Sequence, residues 1–401
     1  MDGGLLLDDV LLGDPEAVAP SPGRLLLAGD RIAAHLSPSE EVPEATTRLP
    51  LGGRLLSPGL VDVHHHGGLV LARADDAPGI LRRESAILAA HGVTAWLPTT
   101  VAWPATELGR RVGRLAEAVA APGWPGAVPL GIHLEGPWIR AEAAGAQPPD
   151  GIRPCDAAEA RALLDRAQGA VRLVTLAPEI PGAGELLDEL AQRGIASALG
   201  HTLADAACLD EAVARGLRHV THLFNAMGSL HPRGPGVAAA ALADDRLSCD
   251  VIADGVHVHP AWLRVAARAK GDRLVLITDR VAVATTPPPQ AGGRGFGAGI
   301  REDGPVWRLP DGRLAASRLT LDEAIRNCVT WRVMNLHDAL AAGTLRAAKV
   351  LGVERERGTL RPGARADLVL WSESGQVLAT WVSGRLVHAA PEAPVPRVPT
   401  G

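Results

Sequence analysis

Leu60-Val61-Asp62-Val63-His64-His65-His66-Gly67 (LVDVHHHG, residues 60–67) joins an apolar strand-forming run to three consecutive histidines. Side chains alternate along a strand, so His64 and His66 face one side together and His65 faces the other. Two imidazoles leaving one strand end on one face can grip a borderline-soft cation. Alone the run is weak evidence, because ordinary polar or partly buried histidines are common. Its meaning depends on where the strand sits.

Seven further runs of the same character follow: TAWLPTT (94–100), VPLGIHLEGP (128–137), VRLVTLAPE (171–179), IASALGHT (195–202), HVTHLFNAM (219–227), LSCDVIADGVHV (247–258) and RLVLITD (273–279). Segments of helical period separate them, such as PGILRRESAILAAHG after the first and LADAACLDEAVARG after the fifth, and DEAIRNCVTWRVM can close the ring after the eighth. Eight strands alternating with helices predict an α/β fold, a (β/α)8 TIM-type barrel over residues 59–355. The rival, an open doubly wound sheet, calls for a Gly-rich phosphate loop at the first βα turn, and none is there. Outside the barrel, GLLLDDVLL, RLLLAGDRIAAHL and TTRLPLGGRLLSPG read as short strands, as do ADLVLW, QVLATWVSG and RLVHAA near the other end. Residues 1–58 and 356–401 are therefore expected to meet in one small β-sandwich domain.

Composition narrows the function. The net charge is -5 with no long basic run, which disfavours nucleic acid as a partner. No run of 18 apolar residues supports a membrane span, and the acidic start MDGGLLLDDV lacks the form of a secretory signal, so a cytoplasmic protein is expected. Cys155, Cys208, Cys249 and Cys328 have no paired spacing and read as buried thiols.

On a barrel the strand ends converge at one mouth, where chemistry is placed. Glu135 ends strand three, His201 strand five, His222 strand six and Asp279 strand eight, joining His64 and His66. His133, His219 and His91 are read instead as packing or hydrogen-bonding histidines. Many binuclear barrels bridge their ions with a modified lysine on strand four. Here that strand ends in Leu176-Ala177-Pro178-Glu179, and the only lysines, Lys270 and Lys349, lie elsewhere, which leaves Glu135 as the candidate bridge. His64 and His66 then complete one site, His201 and His222 the other. Zinc suits this mixture of imidazole and carboxylate, one or two ions per subunit, and iron, manganese or cobalt also fit. Asp279 can take a proton from metal-bound water and return it to a leaving amine, the alternative being a simple ligand or structural aspartate.

His64-x-His66-Gly67, the strand Gly131–Pro137, Gly200-His201-Thr202, the stretch Thr221–Met227 (THLFNAM) and Ala253–His257 (ADGVH) together resemble the N-acetylglucosamine-6-phosphate deacetylases of the amidohydrolase superfamily. The resemblance runs from about residue 55 to 370. HLEGP and THLFNAM carry more of it than HxH, which many amidohydrolases share. It implies hydrolysis of the N-acetyl group of N-acetyl-D-glucosamine 6-phosphate to acetate and D-glucosamine 6-phosphate, in amino-sugar catabolism and cell-wall recycling. It further implies Glu135, His201 and His222 as metal ligands, His64 and His66 as the extra pair for a second ion, and Asp279 as the acid/base. Asn225, Ala226, Arg233 and His257 match the phosphate pocket, where a guanidinium, an imidazole and amide donors suit phosphate oxygens. One phosphate contact crosses a subunit boundary in that family, so a homodimer with a shared phosphate site is implied.

Departures from the family concern the sugar side. Gln147, after Ala146, stands where many relatives have a histidine, and could donate to the acetyl carbonyl or the oxyanion but cannot carry charge. Arg280 follows Asp279 where small or apolar residues are usual, and Thr285-Thr286 replaces a common Ala-Gly. Leu314-Ala315-Ala316 resembles a substrate-lining loop, with Ala316 where glycine is common. The rival readings are a deacetylase of N-acetylgalactosamine 6-phosphate or another acylated amino sugar, a cyclic amidase or deaminase, and a non-catalytic sugar-phosphate-binding protein.

Overall fold

The computed structural model describes residues 4–37, 39–42, 46–69, 76–282, 296 and 299–398. Four strands come first: β1 (Leu5–Leu12), β2 (Ser21–Ala28), β3 (Arg31–Leu36) and β4 (Thr47–Pro58). Their leucines supply the apolar face of a sheet. The barrel follows as β5 (Leu60–Gly67), α1 (Ala77–Ala90), β6 (Val93–Pro98), α2 (Ala105–Val119), β7 (Val128–Pro129), β8 (Ile132–Glu135), α3 (Ala157–Arg166) and β9 (Val171–Leu176). It continues through α4 (Ala183–Arg193), β10 (Ala196–Leu199), α5 (Ala206–Ala214), β11 (His219–Val220), α6 (Gly236–Ala243), β12 (Ser248–Ile252), α7 (Pro260–Lys270) and β13 (Leu274–Ile277).

All eight expected runs thus form strands, the third split by Leu130-Gly131 into β7 and β8. Neighbouring staves pair in parallel, β5-β6-β7 in one sheet and β8 to β13 in the other. A parallel bridge between Thr99 and His133 joins the two sheets on one side. On the other, Asp279 N–H donates to the His64 carbonyl at 2.9 Å, and Thr278 Oγ1 donates to Asp62 Oδ2 at 2.6 Å. The ring closes directly beneath the strand ends that carry the histidines.

Parallel staves are covered by helices, so they are apolar throughout. The four residues of β13 are all buried, each side chain stabilising the fold by roughly 1.5–3 kcal/mol. Local signals set the helix ends: Asp156 accepts from Glu159 N–H at 2.8 Å to start α3, Asp205 accepts from Cys208 N–H at 2.8 Å to start α5, and Gly194 at φ 65° ends α4.

After β13 the chain forms β14 (Arg280–Val281), β15 (Arg301–Asp303), β16 (Val306–Arg308) and β17 (Leu314–Ser317), then α8 (Leu321–Thr330), α9 (Leu336–Gly343) and α10 (Leu345–Val350). It ends in β18 (Leu368–Trp371), β19 (Val377–Val382) and β20 (Arg385–Ala389). These last three join the first four in one sheet of order β20-β19-β18-β4-β1-β2-β3, over a core of its own that includes Leu25, Leu56, Leu368 and Trp381. Both termini therefore build the small domain. The four cysteines are unpaired, with Cys208 partly buried and the others buried. Among the described residues, no helix is long and apolar enough to cross a membrane.

Candidate active site

His64 and His66 turn into the barrel mouth, while His65 points the other way, against Glu84 (3.2 Å), Thr278 and the edge of Trp96. The Nε2 atoms of His64 and His66 are 3.4 Å apart. They lie 3.4 and 3.2 Å from Asp279 Oδ1, and 3.5 and 3.2 Å from Glu135 Oε2. The other Glu135 oxygen, Oε1, meets His201 Nε2 at 2.9 Å and His222 Nε2 at 3.0 Å, and those two nitrogens are 3.2 Å apart. Two donor sets result, His64, His66 and Asp279 beside Glu135, His201 and His222, with the Glu135 carboxylate touching both.

Backbone turns aim these side chains. His201 (φ 49°), His222 (φ 35°) and Asp279 (φ 47°) all leave their strands through the left-handed region, which costs an L-residue roughly 1–2 kcal/mol. Hydrogen bonds hold the turns. His222 N–H donates to Asp250 Oδ1, Leu223 N–H to the Asp250 carbonyl at 2.9 Å, and Asp250 Oδ2 is fixed by His219 at 2.9 Å. His219 thus supports a site residue rather than joining the cluster. His133 is likewise engaged with Thr175 (2.8 Å) and Thr99, and burial and the neighbouring His64 push its imidazole well below the usual range. His91 pairs with Asp322 at 3.2 Å, away from the mouth.

The donor set fits a divalent cation. His66 Nδ1 faces the Thr99 carbonyl at 3.1 Å and His201 Nδ1 the Ala143 carbonyl at 2.9 Å. A carbonyl can only accept, so each Nδ1 carries the proton and each Nε2 offers its lone pair to the cluster. Two ligands about 2.1 Å from a tetrahedral ion stand about 3.4 Å apart, close to the 3.4 and 3.2 Å of the two histidine pairs here. With protons alone, burial would push the His66 imidazole down, but Asp279 and Glu135 hold it up at about 10. Burial would raise the Glu135 carboxyl, yet the imidazoles, His64 foremost, hold it well below the usual carboxylate range, and Asp279 is lowered in the same way. The cluster is built to hold positive charge.

A cavity of about 300 Å³ opens above the cluster, within the range of small-molecule sites. Ala146, Gln147, Asn225, Ala226, His257, Leu314 and Ala315 line it together with the metal-type residues other than His64, which lies beneath. Ala316 and Arg233 do not. Ala316 is buried within β17, so the expected substrate loop is a strand, and Arg233 is exposed outside the cavity of its own chain. Gln147 is already engaged: its Nε2 donates to Glu135 Oε2 at 2.6 Å and its Oε1 accepts from Ala102 N–H at 2.7 Å. Arg280 turns to the Arg318 and Leu319 carbonyls rather than to a sugar-side wall. Thr285 and Thr286 lie outside the described residues.

Sequence reasoning missed several contributors. Asp254 binds His257 Nδ1 at 2.6 Å and two backbone amides, fixing that ring, and it stands inside ADGVH where it could have been noticed. Phe224 was equally visible within THLFNAM. Phe296 and Arg313 also line the cavity but come from segments without a motif; Phe296 N–H donates to the Ala146 carbonyl, and Arg313 Nη1 to that of Gly145.

Residues 55–387 match the model of the Amidohydrolase family. The chain is 35% identical over 363 residues to the N-acetylgalactosamine-6-phosphate deacetylase of Escherichia coli O157:H7, covering 90% of this chain and 94% of that protein. It is 36% identical over 343 residues to the N-acetylglucosamine-6-phosphate deacetylase of Bacillus subtilis (strain 168), covering 84% and 86%. A mutant N-acetyl-D-glucosamine-6-phosphate deacetylase from Mycobacterium smegmatis, solved in complex with N-acetyl-D-glucosamine-6-phosphate, superimposes with a TM-score of 0.83 at 34% identity, covering 96% of this chain and 99% of that one.

Proposed function

The chain belongs to the amidohydrolase family, among the N-acetylglucosamine-6-phosphate deacetylases, and we propose that it hydrolyses N-acetyl-D-glucosamine 6-phosphate to D-glucosamine 6-phosphate and acetate. One observation carries the reading. Of the two carboxylates in the cluster, both of which line the cavity, Asp279 is the more accessible, its side chain 14% exposed against 2% for Glu135. Glu135 is the shared anchor, and Asp279 is left for the proton.

A divalent cation held by these residues supplies polarisation of the acetyl carbonyl and an acidified water. Asp279 takes the proton of the attacking water and returns it to the sugar nitrogen as the C–N bond breaks. Gln147 has both ends engaged, so its part is to hold Glu135 in place instead of stabilising the oxyanion. At the other end of the cavity, His257, held by Asp254, and the Asn225-Ala226 turn offer donors to the phosphate. The proposed ion is zinc, one or two per subunit, with iron, manganese or cobalt accepted by the same donors. The proposed setting is the cytoplasm.

A homodimer completes the proposal. Trp262 and Val265, three residues apart on α7, are both exposed, and Trp262 packs against Phe224 of the cavity lining at 5.4 Å between ring centroids, which supports a covered face there. Arg233, outside its own cavity, then serves the partner's phosphate site. A second reading, the galacto epimer as substrate, is favoured by the 35% identity to the enzyme named for it. Acetate release from the 6-phosphates of both N-acetylhexosamines and from unphosphorylated N-acetylglucosamine tests the whole reading. No release from either phosphate by metal-loaded protein overturns it; preference between the epimers chooses the substrate.

A further inference from the structure

The first donor set, His64, His66 and Asp279, stands on a buried group of polar and charged side chains. His65 lies between His64 and His66 on β5 but turns its ring away from the mouth, and both ring nitrogens meet acceptors there. Nε2 lies 3.2 Å from Glu84 Oε2, while Nδ1 lies 3.2 Å from Thr278 Oγ1 and 3.6 Å from Asp62 Oδ2. The other Glu84 oxygen accepts from Gly68 N–H at 3.1 Å, so Glu84 holds the chain on both sides of His66. Asp62 Oδ1 accepts from the amides of His64 at 3.3 Å and Thr278 at 3.4 Å, which ties the residue before Asp279 to the strand of the histidines. Asp62, His65, Glu84 and Thr278 are each 5% exposed or less.

Glu84 comes from the middle of α1, and a carboxylate buried there is costly unless it is paired. Burial would raise its carboxyl, yet His65 and Arg280 hold it below the ordinary value, so it stays ionised. The guanidinium of Arg280, turned from the sugar side, serves this buried charge instead. The backbone is shaped around the carboxylate: Gly67 has φ 56°, and a Cβ there would stand 2.8 Å from Glu84 Cδ and 2.9 Å from Cγ. The second donor set is braced elsewhere, His222 through Asp250 and His201 through the Ala143 carbonyl.

We propose that Glu84 is a positioning residue: acting through His65, Gly68 and Thr278, it fixes the directions of His66 and Asp279 and sets the affinity of the first donor set for its ion, independently of the second. This role presupposes that the cluster holds metal, as the proposed reaction does.

Zinc titrated in chelator buffers into metal-free protein tests it. Wild type should load in two steps, and His66→Asn identifies the step of the first donor set by removing it. Glu84→Gln, which keeps the shape and loses the charge, and Thr278→Val, which loses the hydroxyl, should each weaken that step by about 10- to 100-fold, the loss that follows removal of an outer partner of a metal ligand. The other step, which shares none of these braces, should move by less than about threefold. Thr278→Ser restores the hydroxyl and should bind as wild type does. The near-isosteric Glu84→Gln keeps the test open should Thr278→Val fail to fold. Equal weakening of both steps, an unchanged first step in Glu84→Gln, or a wild type with no step that His66→Asn removes overturns the proposal. Zinc binding is read without substrate, so a protein that loads both ions yet releases no acetate loses the proposed reaction and not this role.

Discussion

Gln147→Leu should loosen the metal cluster without touching any of its ligands. The leucine is close in size, and position 147 is only 3% exposed, so the change acts mainly by removing the amide. Two hydrogen bonds go with it. The donor to Glu135 Oε2, at 2.6 Å, is charge-assisted and worth about 1.5–3 kcal/mol. The acceptor for Ala102 N–H, at 2.7 Å, leaves a fully buried amide without a partner, a further cost of about 1–3 kcal/mol. We therefore predict that the variant loses about 2.5–6 kcal/mol of stability in the metal-free state. Because Glu135 is then held by histidines alone, metal affinity should also fall by about 10- to 100-fold, as it does when an outer partner of a ligand is removed. Denaturant unfolding of stripped protein measures the first, and titration in metal buffers the second. A variant that binds metal within about twofold of wild type and unfolds at the same denaturant concentration would refute the positioning role of Gln147.

Other outcomes are expected at the same site and beyond it. Asp279→Asn should keep its fold and its affinity for a phosphorylated ligand while losing at least about 10²-fold in turnover; turnover within a few-fold of wild type would hand the proton to another group. That group would not be Glu179, which is engaged by Thr202 Oγ1 at 2.6 Å and Leu203 N–H at 2.7 Å. Glu135→Gln and His201→Asn should lose bound metal and activity together, and elemental analysis showing full metal content in an active variant would remove that residue from the site. Arg233→Ala and His257→Ala should each impair the phosphorylated substrate far more than any activity on the unphosphorylated sugar. If Arg233 serves the partner's site, mixed dimers of the two variants recover activity that neither has alone, and failure to recover it argues against sharing. Burial would raise the Asp322 carboxyl, but its bonds to His91, Thr320 and Arg326 bring it to about 2 from the ordinary 3.8. A depressed carboxyl stabilises the fold fully above pH 3.8 and loses that contribution as pH falls through about 2, so wild type should exceed Asp322→Asn by about 2 kcal/mol at pH 5 and by little at pH 2. A pH-independent difference counts against that pairing.

The barrel was legible because each parallel strand is a short apolar run ended by a polar side chain, and RLVLITD is the clearest example. The six metal-type residues were legible for the same reason: a strand end in a barrel specifies a location. Gln147 was harder, since a loop glutamine shows nothing in sequence of where its amide is engaged, and the family comparison suggested the sugar when the nearest acceptor is Glu135. Ala316 was placed in a loop because Leu314–Ser317 is only four residues long; it pairs in antiparallel with the preceding short strand, Ala316 opposite Trp307, and in parallel with Arg280 through Ser317. Arg233 stands exposed outside the cavity of its own chain, and no pattern within the sequence shows that its side chain would miss that cavity. The two-sided role of Asp250, which holds His219 and the His222 turn, was hidden inside an apolar strand.

The left-handed turns at His201, His222 and Asp279 bear on how such a site could be moved or copied. Grafting the six side chains onto the strand ends of another eight-stranded barrel would reproduce the residue types and miss half of the directions, because His64, His66 and Glu135 project from extended strands whereas His201, His222 and Asp279 project from left-handed turns. The unit that must be transplanted is the kinked backbone with its braces: Asp250 under His222, and the His64 carbonyl that receives the Asp279 amide. A library that varies only the ligands on a straight-strand scaffold should therefore yield weak, promiscuous metal binders, and fixing those three dihedrals first is the more productive order of design.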